Sequence, residues 1–313
     1  MGIPFNACED DEHQGLENPA EWLAKAKQSL ESAGIVTEEN EPTVSAVLEY
    51  VIGQRRAAFH ISVDEEASDA PDLLSSRVGG LPYLPPGSTW PVNAGTALTH
   101  LWQLRVAELP AAVQLELGHS RGLLQLFIAD TLDDAGGDWY VFRVLDESQL
   151  VPRDRSEIAV PGQARRRRPA GGSGSESGAE GGSAEPGEDD EVEPPEIMDE
   201  RAVSGFERVA DWPQREDLMD GLPGGLDAAL AGRVVEMLVD AGLCSTAGGD
   251  KLLGWPNWCQ GSEWIQTPGG QRYTQVMQVE GSVVPFSVGD SGTLLLQRHP
   301  TDFGEWRVSW ACC

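Results

Sequence analysis

Cysteine and positive charge are both scarce, and each shortage excludes a class of protein. The 313 residues hold five cysteines, Cys8, Cys244, Cys259, Cys312 and Cys313, with no CxxC spacing. An odd, unpaired set forms neither a disulfide framework nor a zinc site, so reduced thiols are expected. Lys and Arg number 22 against 51 Asp and Glu, a formal charge of -29. Affinity for nucleic acid rests on cations that displace counterions from phosphate, so no nucleic-acid partner is expected. Anionic membrane surfaces are disfavoured on the same ground. Apolar runs stop well short of the ~20 residues that a spanning helix needs. Met1–Asp11 show no basic segment ahead of an apolar one, so a cytoplasmic protein is expected. Neither a phosphate loop nor a dinucleotide fingerprint is present, and no cofactor is expected. The five histidines fall at no metal-ligand spacing.

What is present begins with a biased insert. Arg165–Arg168 are four consecutive arginines, and Pro169–Glu200 then carries 11 acidic residues and no Lys or Arg. A stretch of Gly, Ser, Pro, Glu and Asp has little to bury and repels itself, so residues 161–200 are expected to be disordered. Removing this insert's 11 acids and four arginines leaves the rest of the chain near -22.

Periodicity places helices at 19–33 and 42–54. Asn18 is the expected N-cap of the first, Pro19 its first turn and Gly34 its end. Trp22, Leu23, Ala26 and Leu30 form one apolar face; Val44, Val47, Leu48, Val51 and Ile52 form the other. A third helix is expected over 226–242, with Leu230, Val234, Leu238 and Val239 on one side. Strand-length apolar runs fall at 57–63, 98–106, 122–129, 139–144, 274–280, 292–298 and 305–310.

The two halves echo each other. Pro82 and Pro256 are 174 residues apart, Gln103 and Gln278 175, Gly122 and Gly292 170, Trp139 and Trp306 167. Four landmarks at near-constant offsets indicate a duplicated module. The expected class is therefore α+β: internally duplicated antiparallel β-sheet modules with N-terminal and central helices. The divisions would be a helical segment 1–56, a first β-rich repeat 57–160, the insert 161–200, and a helix plus second repeat 201–313.

The blocks Ser76–Pro85 with Thr89-Trp90-Pro91, Leu101–Leu104 ahead of Glu108-Leu109-Pro110, Lys251–Pro256 with Gln260, and Gly289–Gly292 together resemble the YwqG-like bacterial family. That resemblance implies an α+β protein with a duplicated β-rich body and imports no chemistry, since the family is a domain of unknown function. The chain departs from the family pattern at Trp102, Arg105 and Glu280, and in its long acidic insert.

Gly289-Asp290-Ser291-Gly292, preceded in the chain by His60, has the outline of a serine-protease motif. Thr293 stands where such enzymes carry glycine, and Gly, Asp and Ser together make an ordinary turn. Asp133, Asp134 and Asp138 around Gly136-Gly137 lack the spacing of a calcium loop and read as an acidic hairpin tip. The ten tryptophans are more informative. Core packing is the ordinary role for most of them. Trp90, Trp255, Trp258 and Trp264 sit in Pro/Gly-rich loops, where they could stack on a sugar, a peptide or a cationic side chain. Gln103 and Gln278 at matching positions, with Gln260 and Asp290, complete the candidate binding set. The leading expectation is a non-enzymatic protein that binds a basic protein partner, as immunity or inhibitor proteins bind a cationic toxin. A small-molecule, peptide or carbohydrate binder using the Trp loops comes second, and a hydrolase using cleft carboxylates third.

Overall fold

A computed structural model describes residues 18–64, 72–93, 95–129, 139–162, 192–284, 286 and 289–312. Arg165–Arg168, most of the insert, and the Asp133, Asp134 and Asp138 tip lie outside the described residues. The fold is α+β and mostly antiparallel, as expected. The chain divides into two compact units: Met1–Ser62 with Gly205–Cys313, and Val63–Ser204.

Among the described residues the first unit carries four α-helices. Helix α1 (Pro19–Ser32) starts at Asn18, whose side chain accepts from Ala20 N, and α2 spans Glu41–Gly53. Their expected faces are inward, with Trp22, Ala26, Leu30, Val44, Val47, Leu48 and Val51 buried. These pack with Trp212, Leu218 and the apolar face of a later helix. Trp22 stacks on Trp212 at 5.0 Å and donates its indole N–H to Leu243 O at 2.7 Å. That later helix, Ala228–Asp240, is capped by Asp227 and buries Ala231, Val234, Val235 and Leu238. Val239, assigned inward from the sequence, is exposed, because the buried stripe turns through Ala231 and Val235 instead.

The sheets follow the duplication. In chain order the strands of the second unit are β2 (Arg77–Val78), a small hairpin β3 (Val92–Asn93) and β4 (Thr96–Ala97), β5 (Thr99–Arg105), β6 (Leu123–Ile128) and β7 (Tyr140–Leu145). Strand β8 (Arg201–Asp211) enters beside β2, giving the order β8-β2-β5-β6-β7. A short helix α3 (Ala111–Leu117) joins β5 to β6. The first unit uses β1 (Arg56–Val63), β9 (Lys251–Leu253), β10 (Thr274–Val279), β11 (Thr293–Arg298) and β12 (Trp306–Ala311) in the order β12-β11-β10-β9-β1-β8. A six-residue helix α4 (Arg215–Asp220) precedes the Ala228–Asp240 helix, α5.

Equivalence extends to backbone conformation. Gly79 and Gly80 both lie at φ 64°, and their counterparts Leu253 and Gly254 at 58° and 75°. Two successive left-handed residues turn the chain sharply off the short strand, a conformation costly for any residue with a Cβ. At the second position glycine is also required by space. A Cβ on Gly80 would coincide with the Glu200 carboxylate, and one on Gly254 with Asp211 Oδ2.

Residues 192–200, grouped with the insert by composition, are tied into the second unit. Ala97 N donates to Glu193 O, Gly80 N donates to Met198 O, and Glu200 binds arginine as described below.

His100, on β5, is 1% exposed. Its Nδ1 lies 3.1 and 3.2 Å from Gly79 O and Gly80 O, so that nitrogen carries the proton. Burial pushes its pKa down to about 3, partly offset by those carbonyls. The unfolded chain takes up the proton below about 6.5 and the native state does not, so stability is lost as pH falls from 6.5 toward 3. By pH 5 this site should forfeit about 2 kcal/mol relative to neutral pH. Urea unfolding at both pH values should show that loss shrink in His100→Gln. Gly254→Ala should cost at least about 2 kcal/mol in urea unfolding. Gly87→Ala, at φ 79° with open space around it, should cost only about 1 kcal/mol.

Candidate functional site

Each unit is fastened by a buried cation at the same place. Lys251 on β9 and Asp211 at the end of β8 are both fully buried and paired at 2.8 Å. Asp211 Oδ2 also accepts from Trp255 N at 2.7 Å, and Oδ1 from Ala247 N at 2.7 Å. Burial pulls the Lys251 pKa down, and Asp211 opposes that shift. In the other unit Arg77 on β2 is 3.6 Å from Glu200, which also binds Arg155 at 2.9 Å. Burial lowers the Arg77 pKa to about 10, with Glu200 opposing, so the guanidinium stays charged at neutral pH.

Gln103 and Gln278 lock the turn that follows each cation. Gln103 Oε1 accepts from Tyr83 N at 2.9 Å, and Gln278 Oε1 accepts from Asn257 N at 2.8 Å. Gln103 Nε2 donates to Ser75 O at 2.9 Å, and Gln278 Nε2 to Gly249 O at 3.1 Å. Tyr83 and Asn257, like Ser75 and Gly249, are separated by the offset of 174 that relates Pro82 to Pro256. Both glutamines are fully buried and serve as internal fasteners. Glu280, one of the departures from the family pattern, joins this network by accepting from Gly249 N, Asn257 Nδ2 and Gln278 Nε2. Asp250 accepts from four backbone N–H groups, those of Glu280, Gly281, Val283 and Val284.

Three of the candidate tryptophans meet. Trp258 and Trp264 rings are 5.3 Å apart and Trp255 and Trp264 6.1 Å, both edge-on. Asp217 of α4 organises the group: it accepts from Trp258 Nε1 at 2.9 Å, Trp264 Nε1 at 2.7 Å and Arg272 Nη1 at 3.1 Å. Trp255 Nε1 donates to Gln54 O at 2.8 Å. The Arg56 guanidinium lies 3.6 Å over the Trp255 ring, and that of Arg272 5.2 Å from the Trp264 ring. The indole donors are therefore satisfied internally, and the chain's own arginines take cation–π positions on these rings. Sequence reasoning missed Asp217, Arg56 and Arg272, which lie outside any motif.

The other candidates lie apart. Trp90 belongs to the second unit, where it is buried and donates to Leu98 O at 2.8 Å. Gln260 is exposed and donates to Cys312 O at 2.5 Å. Asp290 and Ser291 sit on an exposed turn, with Ser291 at φ 56°. His60 is on β1, opposite Lys251, and shares no hydrogen bond with Ser291. No group of His, Cys, Asp and Glu that could hold a metal occurs among the described residues.

The first unit's helical segments present a one-sided surface. Glu21, Glu31, Glu38, Glu39, Glu41, Glu49, Glu216, Asp220, Asp227, Glu236 and Asp240 are exposed, against Lys25, Lys27, Arg215 and Arg233. Lys25 and Lys27 are already engaged with Glu21 and Glu41. An open pocket of about 230 Å³ in the same unit is lined by Trp22, Arg55, Ala210, Trp212, Gly242, Leu243 and Ser245. No helix among the described residues is long and apolar enough to cross a membrane.

Asp217→Asn places an amide N–H against indole and guanidinium donors. Urea unfolding should show a loss of about 2 kcal/mol or more. Tryptophan emission should shift to longer wavelength as the cluster loosens.

No curated protein matches this sequence. A family model, however, matches residues 76–312, which span both copies of the cation, turn and glutamine arrangement. The chain belongs to the family described as DUF1963, a domain of unknown function.

Proposed function

We propose that this protein is a non-catalytic binding protein of the YwqG-like type, whose acidic helical surface captures a basic protein partner. The observation that carries the reading is the imbalance of exposed charge over α1, α2, α4, α5 and the segments that join them: eleven carboxylates against four cations, two of them already paired. Such a field accelerates encounter with a cationic protein and rejects acidic ones. The internally satisfied Trp255, Trp258 and Trp264 cluster supports a structural role for those loops, leaving recognition to the charged surface. Neutralising a basic toxin, as an immunity protein does, fits a surface of this kind. A cytoplasmic setting is part of the same proposal.

The test uses the purified full chain and the purified products of its neighbouring genes. A basic partner should bind at low salt and release as ionic strength rises past about 0.3 M, where the Debye length falls below ~6 Å. Charge reversal at Glu31, Glu38 and Glu236 to Lys should weaken that binding at least tenfold without lowering the melting temperature. Absent binding, or binding indifferent to salt and to those reversals, would falsify the proposal.

A further inference from the structure

Gln275 on β10 and Gln297 on β11 are cross-strand partners, 1% and 0% exposed. Neither amide nitrogen and neither amide oxygen of the pair finds a hydrogen-bond partner among the described residues. The other buried glutamines of the two sheets behave differently. Gln103, Gln125 and Gln278 each bond through their amides. A buried carboxamide with no partner forfeits its hydration at every donor and acceptor, so native interiors rarely keep one uncompleted.

The duplication supplies an internal control. A bulge separates His100 from Trp102 on β5, and the same irregularity separates Gln275 from Met277 on β10. His100 therefore corresponds to Gln275. Across the strand pair His100 faces Phe127, with ring centroids 5.1 Å apart, and His100 bonds to the Gly79 and Gly80 carbonyls. Trp90 closes on Phe127 edge-on at 6.2 Å. The residue 174 positions after Trp90 is Trp264, and its indole is held by Asp217 instead. The module can thus fill this place with aromatic rings. The two glutamines are not demanded by the fold.

We infer that Gln275 and Gln297 form a buried binding site for a small neutral ligand offering both a hydrogen-bond donor and an acceptor. Two facing carboxamides present donors and acceptors in equal measure and no net charge. An ion would gain no counter-charge from them, and an apolar molecule would leave them unsatisfied. Water and a small amide share the required chemistry. The inference is independent of the acidic helical surface.

Nuclear magnetic resonance of the ¹⁵N-labelled full chain separates the two sources, through the side-chain NH₂ signals of Gln275 and Gln297. Held water gives cross-relaxation between these protons and water. An amide ligand gives saturable shifts of both signals when acetamide is titrated in, with no change at Gln103. Either result supports the site. Gln275→Leu with Gln297→Leu keeps the volume and removes both amides together with what they hold, so the melting temperature should stay unchanged or rise. Gln275→His with Gln297→Phe transplants the first copy's pair and should do the same where leucine packs poorly. NH₂ signals silent to both water and acetamide would overturn the site, and a lower melting temperature in both variants would show in addition that the amides bond to the chain.

Discussion

A buried cation held against a carboxylate at a glycine turn is the constraint on which each unit is built. The Lys251–Asp211 pair is wholly out of water, and desolvating two charges costs several kcal/mol per ion, on the order of what their attraction returns. The pair repays its cost through what else the carboxylate does. Asp211 receives Trp255 N and Ala247 N as well as the ammonium, so one side chain fixes the entry to β9 and the exit from it. That convergence is why position 254 must lack a Cβ, and the same reasoning applies to Gly80 beneath Glu200.

The two copies reach this arrangement by different routes. Glu200 stands just before β8 and Asp211 ends it, so the two carboxylates come from opposite ends of one strand. Arg77 spreads its donors over Ser75 O and Leu81 O, whereas Lys251 adds the Ala247 carbonyl. What stays constant is the glutamine bond to the backbone six residues beyond the cation. A duplicated module has therefore kept its backbone constraint while the charged groups that enforce it have changed.

Much of this was legible as pattern and little of it as partnership. Offsets among Pro82, Gln103, Gly122 and Trp139 and their counterparts exposed the duplication, because turn glycines and prolines cannot drift without breaking the fold. Helices α1, α2 and α5 were legible from apolar spacing and N-caps. Strand β8 escaped, since Arg201–Asp211 is mostly half-buried, carries Gly205 and several charges, and shows no clean alternation. The counter-ions escaped for a different reason. Glu200 is 123 residues from Arg77, and Asp211 is 40 from Lys251, so local periodicity holds no trace of either pairing. The tryptophan loops were legible as aromatic and not as inward-facing, because Asp217, which draws Trp258 and Trp264 together, lies on a helix of six residues.

These pairings also redistribute the meaning of the net charge of -29. Asp211, Asp217 and Glu200 are paired with internal cations, and Asp250 and Glu280 hold backbone and side-chain amides, so these five carboxylates serve the fold itself. An outside partner does not sense an interior carboxylate and its cation as net charge. The carboxylates over α1, α2, α4 and α5 are mostly without such partners and face water. The field that a second protein would meet therefore comes from the exposed carboxylates, those of the helical segments together with Glu108, Glu157, Glu196, Glu207 and Glu263 elsewhere on the described surface. Selection for a fold alone needs the interior acids and leaves the surface free; a net charge away from zero keeps a protein soluble, and a surface excess of this size also sets which partners it attracts. The surface excess, unlike the total, is the part of the composition that calls for a functional explanation.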